Sequence, residues 1–362
     1  MLNYDIESKM RRGEKMTDPN GLNINTSIIQ DNEGEQRIKN ASILFSVCIF
    51  LFIYLGAFFQ SQSFGSGMLI TQIALFLFPS LIAIKFSNQN FKNTLRLNKV
   101  SFQNLILSAL IMLFSLPFVF VVNFIYLFII QYNLDTPALP DIPIAQNNPE
   151  LFLFIAIIGI LPAISEEVLF RGYILKNFEP LGAKNAIILS TILFSLMHIR
   201  FIRFPATFIL GLIITFAVYK TNSLYTGIFM HFINNTFATI MVFLLTKMSN
   251  FSSQLEKKPS ATSTLETLEP SEQALIMLFS LFFFALLLTM SGLVLYFLIR
   301  RLLKNTSSIQ IQKKEKSSYV SKKNLVYLIP GLSLILIIVA TDILDLLNLT
   351  AQSNLLKLIL PF

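Results

Sequence analysis

Long apolar runs separated by short polar intervals dominate this chain. At about 20 residues per membrane crossing, the pattern predicts nine helices: 41–59, 67–85, 104–131, 150–177, 183–199, 204–220, 223–246, 273–299 and 324–345. The fifth and sixth runs are short and are expected to be tilted, broken or partly re-entrant, a geometry tolerated where neighbouring helices bury it. Polar residues fill 1–40, read as a cytoplasmic N-terminal tail. Segment 247–272 is rich in Ser, Thr, Glu and Pro and reads as a flexible loop. The expected fold class is therefore an all-α polytopic membrane protein, a bundle of about eight or nine helices enclosing an intramembrane cavity.

Composition agrees with the pattern. Hydrophobic residues make up 54% of the 362 positions and charged residues only 13%, against about 25% charged in soluble domains. The mean hydropathy is +0.65. The single cysteine, Cys48, excludes an intrachain disulfide. The net charge of +8 does not point to nucleic acid, because the basic residues are scattered between apolar runs. It fits the positive-inside bias of membrane proteins. Lys85, Lys92, Arg96 and Lys99 follow the second run, and Arg300, Arg301, Lys304, Lys313, Lys314, Lys316, Lys322 and Lys323 follow the eighth. Both loops are expected in the cytoplasm. Arg200 and Arg203 would then lie outside, where they read as interface anchors. Asp342 and Asp345 read as a helix end reaching the interface.

Against this background the ionisable residues inside the runs stand out. Such groups are expensive in hydrocarbon and are usually functional there. Both histidines of the chain, His198 and His231, lie in apolar runs, as do Glu166, Glu167 and Arg171. In the EExxxR pattern, Glu167 and Arg171 are i,i+4 neighbours and can pair. Glu166 points about 100° away and is freer to face a cavity, where desolvation makes a carboxylate a better base. The competing reading is an inert ion cluster that braces the bundle. Phe194 and His198 share a face in an FxxxH pattern, and His231 and Asn235 share one in HxxxN. Glu166 lies 15 residues before Leu181 and His198 lies 17 after it. Two antiparallel helices turning near Pro180–Gly182 would thus bring the pair within about 3 Å in depth. Pro162 is expected to kink the fourth helix and open space for water.

These three motifs, complete and in order, resemble those of the CPBP family of intramembrane proteases, the CAAX-processing, bacteriocin self-protection and Abi proteins. The resemblance covers about 150–246, the catalytic core, and leaves 41–149 and 273–362 as flanking helices. It implies an intramembrane endopeptidase acting on a membrane-associated peptide or protein. Glu166 with His198 would activate water, His231 and Asn235 would stabilise the oxyanion, and Glu167, Arg171 and Phe194 would support the site. It also leaves open a Zn²⁺ ion held by Glu166, His198 and His231 with water in fourth place, although the HExxH helix of soluble zinc proteases is absent. Partners would be lipid and a membrane peptide, with no nucleic acid. Richness in Ile, Asn, Lys and Phe suggests a bacterial membrane and makes prenylated substrates the less expected. Two rivals stand beside this reading: a catalytically silent immunity or scaffold protein of the same fold, and a proton-coupled transporter, which should show repeated broken helices.

Overall fold

A computed structural model describes residues 24–134, 144–255, 269–309 and 321–346. In these residues the chain is helical throughout, with no strand, and eight of its helices are long and apolar enough to cross a membrane. The protein is an integral membrane protein. We number the helices α1 (24–62), α2 (Phe64–Phe86), α3 (Phe102–Leu134), α4 (Asn148–Leu181), α5 (Ala183–Met197), α6 (Phe204–Thr221), α7 (Leu224–Leu255), α8 (Pro270–Asn305) and α9 (Ile329–Leu346). Helix α5 is the short one, as the apolar runs predict. The sixth run reaches spanning length because a 3₁₀ turn, Phe201–Arg203, is added to its start.

The helix ends follow local chemistry. Asn147 caps α4 by accepting from the Glu150 N–H at 3.0 Å, and Pro149 sits in the first turn, where no N–H is missed. Asn222, left-handed at φ 48°, ends α6, and Gly182 at φ 91° turns α4 into α5. Glu269 and Glu272 form a capping box ahead of α8.

The polar stretch expected as a tail over 1–40 becomes helix from Ile24 onward. Its polar groups find partners on other helices. Arg37 Nε donates to Asn177 of α4 at 3.2 Å, and Lys323 pairs with Glu35 at 2.9 Å. The buried Ile38 joins the main core. At the other boundary, α7 continues to Leu255, into the segment read as a loop, whose residues 256–268 lie outside the described residues.

The main core gathers side chains of α1, α2, α4 and α5, including Phe45, Phe76, Phe170 and Phe194. A second core joins α3, α6, α7 and α8 around Met112, Ile214 and Met230. Helix α8 leans on α3 through Ser291 Oγ, which donates to the Phe114 carbonyl at 2.5 Å. Its other side is a wall of exposed Leu and Phe suited to lipid. Helix α9 packs on α1, where Gly331 lies so near Ser46 that a Cβ would come within 2.9 Å of the Ser46 Cα. Arg96, expected from sequence as an orienting loop charge, is instead buried. It pairs with Glu179 at 2.7 Å, and its carbonyl accepts from the Leu224 N–H at 3.1 Å. It ties the turns α4–α5 and α6–α7 together at one end of the bundle.

Candidate active site

Helix α4 is not one continuous α-helix. Two stretches of wider π-winding, Ile155–Ile160 and Val168–Ile174, flank the α-turns of Leu161–Glu167. Such insertions often mark functional sites. The pair Glu166-Glu167 closes the central segment, with both side chains buried.

Pro162 accounts for part of this local form. Proline has no N–H to offer the carbonyl four residues back, which here is Ile158. Asn235 of α7 donates at this point, its Nδ2 reaching the Ile158 oxygen at 2.9 Å. The Asn235 Oδ1 in turn accepts from Asn234 Nδ2 at 2.9 Å. Alongside, Gly159 lets α7 approach, since a Cβ there would stand 2.8 Å from Thr236 Oγ1.

Glu167 is the hub of the site. Its Oε1 accepts from Arg171 Nη1 at 2.6 Å and from His231 Nδ1 at 2.9 Å. Arg171 is fully buried, and its other nitrogens reach Thr215 Oγ1 at 3.1 Å and the Gly211 carbonyl at 3.2 Å on α6. Its guanidinium lies 4.1 Å from the centre of the Phe194 ring. A buried charge needs such saturation. Gly227 makes room for the hub, because a Cβ on it would come within 2.5 Å of Glu167 Oε2.

Glu166 stands apart from that ion cluster. Its Oε1 accepts from Gln72 Nε2 of α2 at 2.9 Å. Ser165 Oγ sits against the other end of the same amide, at Gln72 Oε1. The Glu166 Oε2 is buried with no partner among the described residues.

The two histidines are held alike. His198 caps the C-terminus of α5, and its Nδ1 lies 3.0 Å from the Phe194 carbonyl. A carbonyl only accepts, so the proton is on Nδ1. The Glu167 carboxylate imposes the same assignment on His231. Each ring is thereby left with Nε2 as its working nitrogen. The Phe194 ring contacts both, its centre 5.0 Å from that of His198 and 5.9 Å from that of His231, edge-on to each.

Every site residue expected from sequence thus lies in one region where α4, α5 and α7 meet. One combination is absent. Among the described residues no three His, Cys, Asp or Glu side chains are placed to share a metal ion. Glu166, His198 and His231 accordingly do not converge as a three-ligand set. The donor set therefore does not fit the zinc ion considered from sequence. Gln72, Ser165, Thr215 and Gly211 are not legible as site residues in the sequence. The only signal for Gln72 is its amide in the middle of an apolar run.

The fold and site define a class: a helical membrane protein that holds two buried carboxylates, two oriented imidazoles and a neutralised ion cluster within its bundle. Residues 148–237 match the family described as Type II CAAX prenyl endopeptidase Rce1-like. That match supports a CAAX protease-like family for this chain, the family its three motifs resemble, with the helices before α4 and after α7 outside it. No curated protein and no solved structure matches the sequence.

Proposed function

We propose that this protein is an intramembrane endopeptidase that hydrolyses a peptide bond of a membrane-associated peptide or protein, using Glu166 and His198 to activate water. The observation that carries the proposal is the division between the adjacent carboxylates. Glu167 Oε1 carries both Arg171 and His231, while Glu166 meets only the neutral Gln72 amide and stays outside the ion cluster. An inert brace would use both. In this reading Glu166 Oε2 accepts the proton of the attacking water, with His198 Nε2 as its second acceptor. The proton then passes to the leaving amine as the tetrahedral intermediate collapses. His231, oriented through Nδ1 by Glu167, is the group this reading assigns to the oxyanion, to which Nε2 donates when it carries a proton. Asn235 keeps one amide hydrogen beyond its bond to Ile158, and that hydrogen is its means of helping. Each of these steps runs through side chains of this chain alone.

The active-site end of the account is independent of the substrate's lipid. The family match carries a prenyl endopeptidase description, and a short membrane-tethered peptide is the substrate class we favour. The basic loops support a cytoplasmic N-terminus in a cell membrane. The test is mass spectrometry of membrane-tethered peptides, prenylated and not, incubated with the reconstituted protein in H₂¹⁸O. Hydrolysis gives two fragments, with one ¹⁸O in the new carboxylate. Intact peptides from both sets would return the chain to the silent-scaffold or transport reading.

A further inference from the structure

The turn that follows His198 is built against its own backbone preference. Helix α5 ends at Met197, His198 is its cap, and Ile199 comes next with φ 62°. Helices commonly leave through a left-handed residue at this point, usually Gly or Asn. A β-branched residue there is a genuine outlier, and such strain persists only where the surroundings impose it. The Ile199 side chain packs against the main core, which gives a reason to keep it but does not hold the backbone.

The Ile199 N–H donates to the Leu196 carbonyl at 3.0 Å, and the turn beyond it is held by the last helix. Asp342 of α9 accepts from the Phe201 N–H at 3.0 Å through Oδ2 and from Arg200 Nε at 3.2 Å through Oδ1. Tyr126 of α3 donates to the Phe201 carbonyl at 3.2 Å. The Arg200 N–H closes the turn onto the His198 carbonyl at 2.6 Å. From Asp342 to the backbone of His198 the path is therefore two hydrogen bonds and one strained residue. Arg200 is half exposed, whereas Asp342 is mostly buried, so the backbone bond is the better shielded of the two interactions.

We infer that Asp342 is a positioning residue for His198, holding the Ile199–Phe201 turn in the conformation that keeps the imidazole on the Phe194 carbonyl. This rests on the reading of His198 as part of the hydrolytic site. It gives α9, which lies outside the family match, a part in the chemistry. Asp342 itself touches no reacting atom.

The test uses full-length protein in proteoliposomes with variants D342A, D342N, R200Q, I199G and D342A/I199G. It reads kcat and KM on a cleaved peptide, and hydrogen exchange of the segment 198–203. D342A is expected to lower kcat about 10- to 100-fold, the penalty of a misplaced catalytic group, with KM changed less than about twofold and exchange accelerated. D342N keeps an oxygen for the Phe201 N–H and is expected to retain most of kcat, as is R200Q. Glycine adopts the left-handed turn without support, so I199G in the D342A background is expected to recover kcat to within a few-fold of wild type. An unchanged kcat in D342A, or D342A and D342N equally impaired with no recovery by I199G, overturns the inference and leaves Asp342 as a docking contact for α9. If wild type and E166Q behave alike on every peptide, the hydrolase reading itself has failed. Hydrogen exchange then still decides whether Asp342 holds the turn.

Discussion

Nδ1 of His231 and Oε1 of Glu167 lie 2.9 Å apart, on helices α7 and α4, and that oxygen also takes Arg171 at 2.6 Å. One carboxylate oxygen thus neutralises a buried guanidinium and sets the tautomer of an imidazole. The two adjacent glutamates are thus held differently: Glu167 is tied to the buried cation, and Glu166 to the Gln72 amide.

Breaking that hub should unfold before it merely slows. Glu167→Ala strands a fully buried Arg171, and loss of one partner from a buried pair costs about 3–5 kcal/mol. Glu167→Ala and Arg171→Met are each expected to lower the melting temperature in detergent sharply. The double variant should melt above the sum of the single losses, because the uncompensated charge is gone. Additive losses would mean that the pair is not coupled.

Asn235 and Pro162 are expected to be coupled through the Ile158 carbonyl. Asn235→Ala leaves that oxygen without its donor, a loss of about 1–3 kcal/mol for a buried group. In a Pro162→Ala background residue 162 regains an N–H, and the same change should be nearly silent. Thermal melts of the four proteins give the coupling directly. Equal effects of Asn235→Ala in both backgrounds would detach it from the proline.

Gln72→Leu is nearly isosteric and removes the amide that orients Glu166. Because misplacement of a reacting group costs on the order of 10²-fold, kcat should fall about 10- to 100-fold, with melting lowered by the loss of one donor to a buried acceptor, about 1–3 kcal/mol. Wild-type turnover in this variant would show that Glu166 needs no such holder.

Among the described residues no three metal-ligating side chains converge at the site. Activity should therefore survive dialysis against a strong chelator, and added Zn²⁺ should not raise it. Activity lost with the chelator and restored by zinc would require the site to rearrange around an ion.

How much of this the sequence carries depends on the distance between partners. Glu167–Arg171 is legible because i,i+4 spacing is a property of one helix. The antiparallel pairing of the Glu166 and His198 helices is legible from residue counts across a turn. Asn235 to Ile158, Gln72 to Glu166 and Asp342 to Phe201 are contacts between helices far apart in the chain. No local period reports them. The early start of α1 escapes a sequence reading for the same reason, since Arg37 and Glu35 are satisfied by Asn177 and Lys323. Arg96 reads as an orienting charge because burial cannot be seen in a loop's composition. The zinc reading rests on residue types alone, which do not report whether three side chains converge.

The most direct test of the central claim is turnover of a cleaved membrane peptide by wild type, Glu166→Gln and His198→Ala, with melting curves of the same preparations. General acid–base catalysis contributes about 100- to 10,000-fold. The account predicts that Glu166→Gln and His198→Ala each lose activity on that scale while melting within a few degrees of wild type, because neither belongs to the Glu167–Arg171 cluster. Retained turnover in Glu166→Gln would contradict it and make Glu166 one more structural carboxylate.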